Sequence, residues 1–153
     1  MELEAAVQRD MNNSAAWYRL GIKQQENERE HRALQALKRA VELNPSHLPS
    51  WLALAVSYTN DNNRSGTYDS ILEWITRNEK YKDALLPLRA QILNDSGASP
   101  TKRYGGLINS LIAMARSNND DHIDADIQIA LAVLLNSNEV RINEFSLQRQ
   151  MLI

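Results

Sequence analysis

The sequence predicts an all-α protein, an incomplete α-solenoid in which antiparallel helix hairpins stack into a right-handed superhelix. Three observations predict it. Trp17 and Trp51, Leu20 and Leu54, Gly21 and Ala55, and Ala6 and Ala40 each recur 34 residues apart. Ala, Leu, Glu, Arg and Gln, all good helix formers, are plentiful. Glycine and proline are scarce, at 5 and 4 in 153 residues, so little interrupts long helices.

A period of 34 is that of a tetratricopeptide repeat, and the chain can be tested against its pattern. The first full unit covers residues 14–44. Helix A carries Trp17, Leu20 and Gly21; helix B carries Ala33, Leu37 and Ala40; Pro45 stands at the turn. The tryptophan and leucine suit the groove between paired helices. Gly21 and Ala33 are small where two backbones approach. Pro45 fits the turn because it cannot continue a helix. The second unit offers Trp51, Leu54, Ala55 and Tyr58, then Thr67, Ile71 and Trp74. Thr67 and Trp74 stand where alanine is preferred, so this unit is looser. Leu3 and Ala6 match the end of a helix B whose helix A is missing. Helix breaks are expected near residues 28–31, 45–49 and 60–65, with Trp17 and Trp51 mostly buried.

Beyond Tyr81 the period fails. Residues 1–81 read as a half repeat plus two full repeats, and residues 82–123 as an irregular helical linker region. Within that region KDALLPLRAQIL is helical with Pro87 inside, NDSGASPTK is a loop, and YGGLINSLIAMARS is a helix. Residues 124–139 resemble helix A of a later repeat, with Leu131 and Ala132 at its Leu and Gly places. Residues 140–153 form a tail that matches nothing.

Composition excludes several function classes. Net charge is −2 with no basic cluster, which argues against nucleic acid. Without cysteine there is no disulfide or thiolate metal site. No apolar run approaches the roughly 18 residues of a membrane span, and MELEAAVQRD is no signal peptide. His31, His47 and His122 are not spaced for a metal. Asp120, Asp121, Asp124 and Asp126 suggest a calcium loop, but Ala125 and Leu131 occupy the places where an EF-hand needs Gly and Glu. SGASPTKRYGG lacks the order of a phosphate-binding loop. No nucleophile–base–acid constellation can be assembled. The expectation is a binding module that is not an enzyme and takes no cofactor or metal.

One stretch stands out. The apolar run of helix A in the second unit stops in Thr59, Asn60, Asp61, Asn62 and Asn63, with neither glycine nor proline to force the stop. Two readings stay open: these side chains cap a helix end, or they form a polar row that waits for a ligand. A clamp for acidic C-terminal tails is disfavoured. Tyr18, Ile22, Leu52 and Val56 occupy the places where its lysines and asparagines would stand.

EAAVQRD, AAWYRLG, QENERE, RALQALKRAVELNP, LALAVSYTNDN, ILEW and DADIQIALAVLLN, with PTKR at 100–103, together resemble one family. It is the receptor for the type 1 peroxisomal targeting signal, which binds a C-terminal Ser-Lys-Leu-like tripeptide. The resemblance covers most of residues 2–139. It implies that Val56, Thr59, Asn60 and Asp61 face the cargo peptide. Asn60 would bond the peptide near its C-terminus, Asp61 would favour the cargo lysine, and Glu28 would add to the acidic patch. The implied protein is cytoplasmic and cycles to the peroxisomal membrane. The family's docking arm and further peptide-gripping repeats are not in this sequence. The alternative is a generic repeat scaffold without tripeptide recognition. Read alone, the chain is expected to bind the tripeptide poorly and to self-associate through apolar ends, with Ile127, Leu131, Leu134 and Leu135 uncovered.

Overall fold

The computed structural model describes the backbone of residues 2–118 and 122–151, and the side chains of residues 2–95, 97–118 and 122–138. Among the described residues there are nine α-helices and no strand. They are α1 (Glu2–Arg9), α2 (Ser14–Glu26), α3 (Glu30–Leu43), α4 (Leu48–Asn60), α5 (Arg64–Thr76), α6 (Lys82–Leu85), α7 (Arg89–Asn94), α8 (Pro100–Ser117) and α9 (Ala125–Met151). Helices α2 and α3 pack as one antiparallel hairpin, and α4 and α5 as a second. The architecture is a solenoid of the tetratricopeptide-repeat kind.

The 34-residue register is written into the backbone as well as the side chains. Trp17 Nε1 donates to Met11 O at 2.9 Å, and Trp51 Nε1 donates to Pro45 O at 2.8 Å. Each indole thus ties the start of its helix to the carbonyl six residues earlier. Both tryptophans are partly buried. At the other end of each helix A, Arg29 N bonds Gln24 O at 2.9 Å and Asn63 N bonds Tyr58 O at 2.8 Å. These are the long bonds of a Schellman termination. It requires a left-handed residue, which is Glu28 at φ 59° and Asn62 at φ 57°. Neither hairpin uses the glycine that such a position favours.

Close approach of paired helices has different origins in the two hairpins. In the first, a Cβ at Gly21 would lie 2.6 Å from Leu37 Cγ. In the second, the tight position is Gly66 on α5, where a Cβ would lie 2.5 Å from a ring carbon of Tyr58. Thr67 replaces an alanine without leaving a bare hydroxyl, because its Oγ1 donates to Asn63 O at 3.1 Å. Trp74, also at an alanine place, is buried at 1% exposure in the main core, and its indole N–H has no partner.

Three apolar clusters run along the chain. Val7, Ala16, Leu20 and Ala36 join α1 to the first hairpin. Leu34, Leu37, Val41, Ala53 and Leu54 join the two hairpins. The largest contains Tyr68, Ile71, Trp74 and Ile75 of α5, Leu107, Leu111 and Met114 of α8, and Ile127, Ala130 and Leu134 of α9. Gln25 adds a polar tie between the hairpins, donating to Ala53 O at 3.0 Å and to Ser57 Oγ at 2.7 Å.

The chain after Tyr81 is more ordered in its turns than its composition suggests. Pro87 separates α6 from α7. PTKR is the first turn of α8, not part of a loop. Ser99 accepts from Lys102 N as N-cap and Pro100 occupies the start of the helix, the place where its missing N–H costs nothing. The backbone of α9 continues beyond Glu139 to Met151. Asp120 and Asp121 lie outside the described residues.

The expectation of an uncovered α9 is corrected. Helices α4, α5 and α8 all pack on α9. Ile127 and Leu134 are wholly buried and Leu131 is partly so, while Leu135 is 53% exposed. Ile129 on the same helix is 44% exposed.

One polar cluster pins the start of α9. Tyr81, itself 3% exposed, donates its hydroxyl proton to Asp124 Oδ2 at 2.6 Å. Asp124 Oδ1 accepts from Asp126 N at 2.9 Å, and Lys80 Nζ lies 3.6 Å from Oδ2. The Tyr81 hydroxyl holds the Asp124 carboxyl below its usual range, aided by Asp126 N–H and Lys80 and opposed by burial. Burial and the Asp124 bond push the Tyr81 phenol up.

Two predictions follow from this packing. Gly21→Ala should lower unfolding free energy by up to roughly 2 kcal/mol. Overpacking Leu37 costs about 1–3 kcal/mol, and the helix propensity gain of about 1 kcal/mol only partly offsets it. Urea unfolding followed by circular dichroism measures the difference. Tyr81→Phe should cost about 1.5–3 kcal/mol at neutral pH, the value of a hydrogen bond to a charged group. A depressed carboxyl pKa contributes stability above its unfolded value of about 3.9, lost as pH falls through the folded value. The gap between wild type and variant should therefore narrow in acid, which unfolding at neutral pH and near pH ~3 would reveal.

Candidate functional site

The polar run at the end of α4 divides into two sets. The first closes the turn. Thr59 Oγ1 donates to Ala55 O at 2.9 Å and lies 3.0 Å from Thr67 Oγ1. Asn62 takes the left-handed conformation, which asparagine tolerates better than most residues. Asn63 is the N-cap of α5, accepting from Gly66 N at 2.9 Å. Capping therefore accounts for Thr59, Asn62 and Asn63.

It does not account for the side chains of Asn60 and Asp61. Both are exposed. Asn60 Nδ2 donates to Glu30 Oε1 at 3.0 Å, linking the end of α4 to the start of α3. Its own carbonyl oxygen has no partner among the described residues. The Asp61 side chain makes no ion pair among the described residues; its backbone N–H ends α4 by bonding Ser57 O. Glu28, exposed at the equivalent turn one repeat earlier, is the left-handed residue of that turn. Val56, one turn before Asn60, is partly buried against the core shared by α4, α5, α8 and α9.

Sequence reasoning missed Glu30. It lies within QENERE, two residues after Glu28. Glu30 touches Asn60, and its second oxygen, Oε2, is buried without a hydrogen-bond partner. The available signal was its place in the first turn of helix B, four residues after the helix A terminus at Glu26. A carboxylate oxygen left bare is costly. A cation brought beside it offsets that cost. Glu28, Glu30 and Asp61 thus give this edge of the hairpins an acidic character, with an amide among them.

Other candidate chemistry is sparse. Among the described residues no group of three His, Cys, Asp or Glu is arranged to hold a metal ion. His47 Nδ1 lies 2.6 Å from Ser50 Oγ, and its ring packs edge-on to Tyr18. Asp124, a member of the supposed calcium loop, is taken up by Tyr81 and Lys80.

The chain is similar in sequence to proteins of known name. The human PEX5-related protein is 37% identical over 137 residues, covering 86% of this chain. The peroxisomal targeting signal receptor of Yarrowia lipolytica is 33% identical over 140 residues, and that of Candida albicans 34% over 142, each covering 91% of the chain. This chain is homologous to a segment of each of these relatives. It spans only 22–23% of the length of these three relatives. No family model matches it. Among the described residues of this receptor homologue, no helix is long and apolar enough to cross a membrane.

The left-handed turn at Glu28 makes a test of turn strain possible. Glu28→Gly should raise stability by roughly 0.5–1 kcal/mol. Relief of a left-handed non-glycine residue gives about 1–2 kcal/mol, and glycine's extra chain entropy costs about 0.5–1 kcal/mol. Thermal unfolding of the two proteins measures it. A fall in stability would show that the Glu28 side chain holds the turn by a contact of its own.

Proposed function

We propose that this chain is a peptide-binding module of the peroxisomal import-receptor kind, recognising C-terminal Ser-Lys-Leu-type signals. The observation that carries the reading is the exposed Asn60–Asp61 pair at the end of α4, left over once capping is complete, in a chain homologous to named targeting-signal receptors. Asn60 would bond the extended peptide, since an amide both donates and accepts. Asp61, Glu28 and Glu30 would attract the ammonium of the signal's lysine. Val56 would form the apolar wall beside them, and Thr59 would hold the turn from which the pair projects.

The same reading makes the working place of the protein the cytoplasm, with cycling to the peroxisomal membrane. Docking partners would be engaged through regions outside this sequence. The role is recognition, not catalysis. The exposed Ile129 and Leu135 on α9 would favour self-association when nothing else covers them.

Fluorescence anisotropy with a labelled peptide ending in Ser-Lys-Leu tests the reading, with the C-terminally amidated peptide beside it. Preference for the free carboxylate is expected. Asn60→Leu should weaken binding by about 1–3 kcal/mol, because a peptide polar group is left unpaired. Glu30→Gln should weaken a peptide with lysine more than one with alanine at the same place. Equal affinity for the carboxylate and amide peptides would favour a repeat scaffold without tripeptide recognition.

A further inference from the structure

A second groove lies away from Asn60 and Asp61, between α1, α2 and α3. It has a volume of about 470 Å³ and is lined by Glu4, Trp17, Leu20, Gln24, Arg32 and Gln35, with Ala36 beside them. Its floor is the apolar cluster that joins α1 to the first hairpin, in which Leu20 and Ala36 are buried and Trp17 partly so. Two features of the lining point to a ligand. Gln24 is only 6% exposed, yet its Oε1 is buried without a hydrogen-bond partner. Arg32, exposed on α3, and Glu4, on α1, carry opposite charges at the lining, and neither makes an ion pair among the described residues.

The lining has the chemistry of a peptide channel. An apolar side chain would sit on Trp17, Leu20 and Ala36. The last torsion of a glutamine is broad and roughly two-fold, so a turn of the Gln24 amide presents either its donor or its acceptor to a passing backbone. The Arg32 guanidinium is a fork suited to a carboxylate. We infer that this groove binds an extended peptide segment carrying an apolar residue followed by an acidic one, through Gln24 and Arg32. The segment needs no free C-terminus, which separates this site from the tripeptide site. A bare buried amide oxygen is costly in the empty protein, while the Arg32 guanidinium is exposed to water and free to meet a carboxylate. One peptide would engage both.

The probe is the doubly blocked peptide acetyl-Ala-Leu-Ala-Asp-amide, with acetyl-Ala-Leu-Ala-Lys-amide as its counterpart. Heteronuclear NMR of the full chain follows the Trp17 indole N–H and the Gln24 side-chain amide. The aspartate peptide should shift both and leave Asn60 unmoved. Arg32→Glu should weaken the aspartate peptide roughly tenfold, about the value of one charge-assisted hydrogen bond, and favour the lysine peptide instead. Gln24→Leu should bind neither, while its unfolding temperature stays at or above that of the wild type, since the bare oxygen is gone. Three results would overturn the inference: no shift at Trp17 and Gln24, shifts that Arg32→Glu leaves unchanged, or shifts at Asn60 in their place.

Discussion

The structure depends on how closely paired helices approach. At Gly21 there is no room for one methyl group beside Leu37, and at Gly66 none beside Tyr58. Tight closure brings the end of each helix A to within a short turn of the following helix B. Such a turn can close only through a left-handed residue, and both hairpins supply one, Glu28 and Asn62, in the same register. The turn geometry in turn fixes which backbone N–H groups are satisfied and which side chains are left facing outward. Helix spacing thus determines the chemistry of the hairpin edge.

That edge explains the density of small polar residues at the end of α4. A helix termination with a bound N-cap requires Thr59, Asn62 and Asn63, or residues like them. It does not require Asn60 or Asp61. The link from Asn60 to Glu30 crosses from one hairpin to the next, so it orients the amide relative to the first turn of α3. Solvent screens the exposed charges of this edge, Glu28 and Asp61, and their value for stability is small. On the proposed reading their value for recognising a lysine-bearing peptide would be larger, because a bound peptide would displace the water that screens them.

Much of the fold was legible in the sequence because it repeats. The recurrence of Trp17 at Trp51 and of Leu20 at Leu54 located both hairpins, and the helix breaks at 27–29, 44–47 and 61–63 overlap the predicted stretches. The all-helical solenoid and the receptor resemblance follow from the same residues. Packing after Tyr81 was not legible. Periodicity shows that Ile127, Leu131 and Leu134 share a face, but not that α4, α5 and α8 cover it. The Ser99–Pro100 helix start was hidden in a run that composition marks as a loop. At the candidate site, Asn60 and Asp61 were visible as a departure from an apolar helix. Glu30 was not, because its significance lies in a contact 30 residues away in sequence.

Side-chain amide NMR on addition of a peptide ending in Ser-Lys-Leu tests most directly whether the polar run divides as described. The account predicts that the Asn60 amide signals move while those of Asn63 stay fixed, because Asn63 is held by Gly66 N and Asn60 is available. Movement of Asn63 with Asn60 unaffected, or no movement at either, would contradict it and return the whole run to capping.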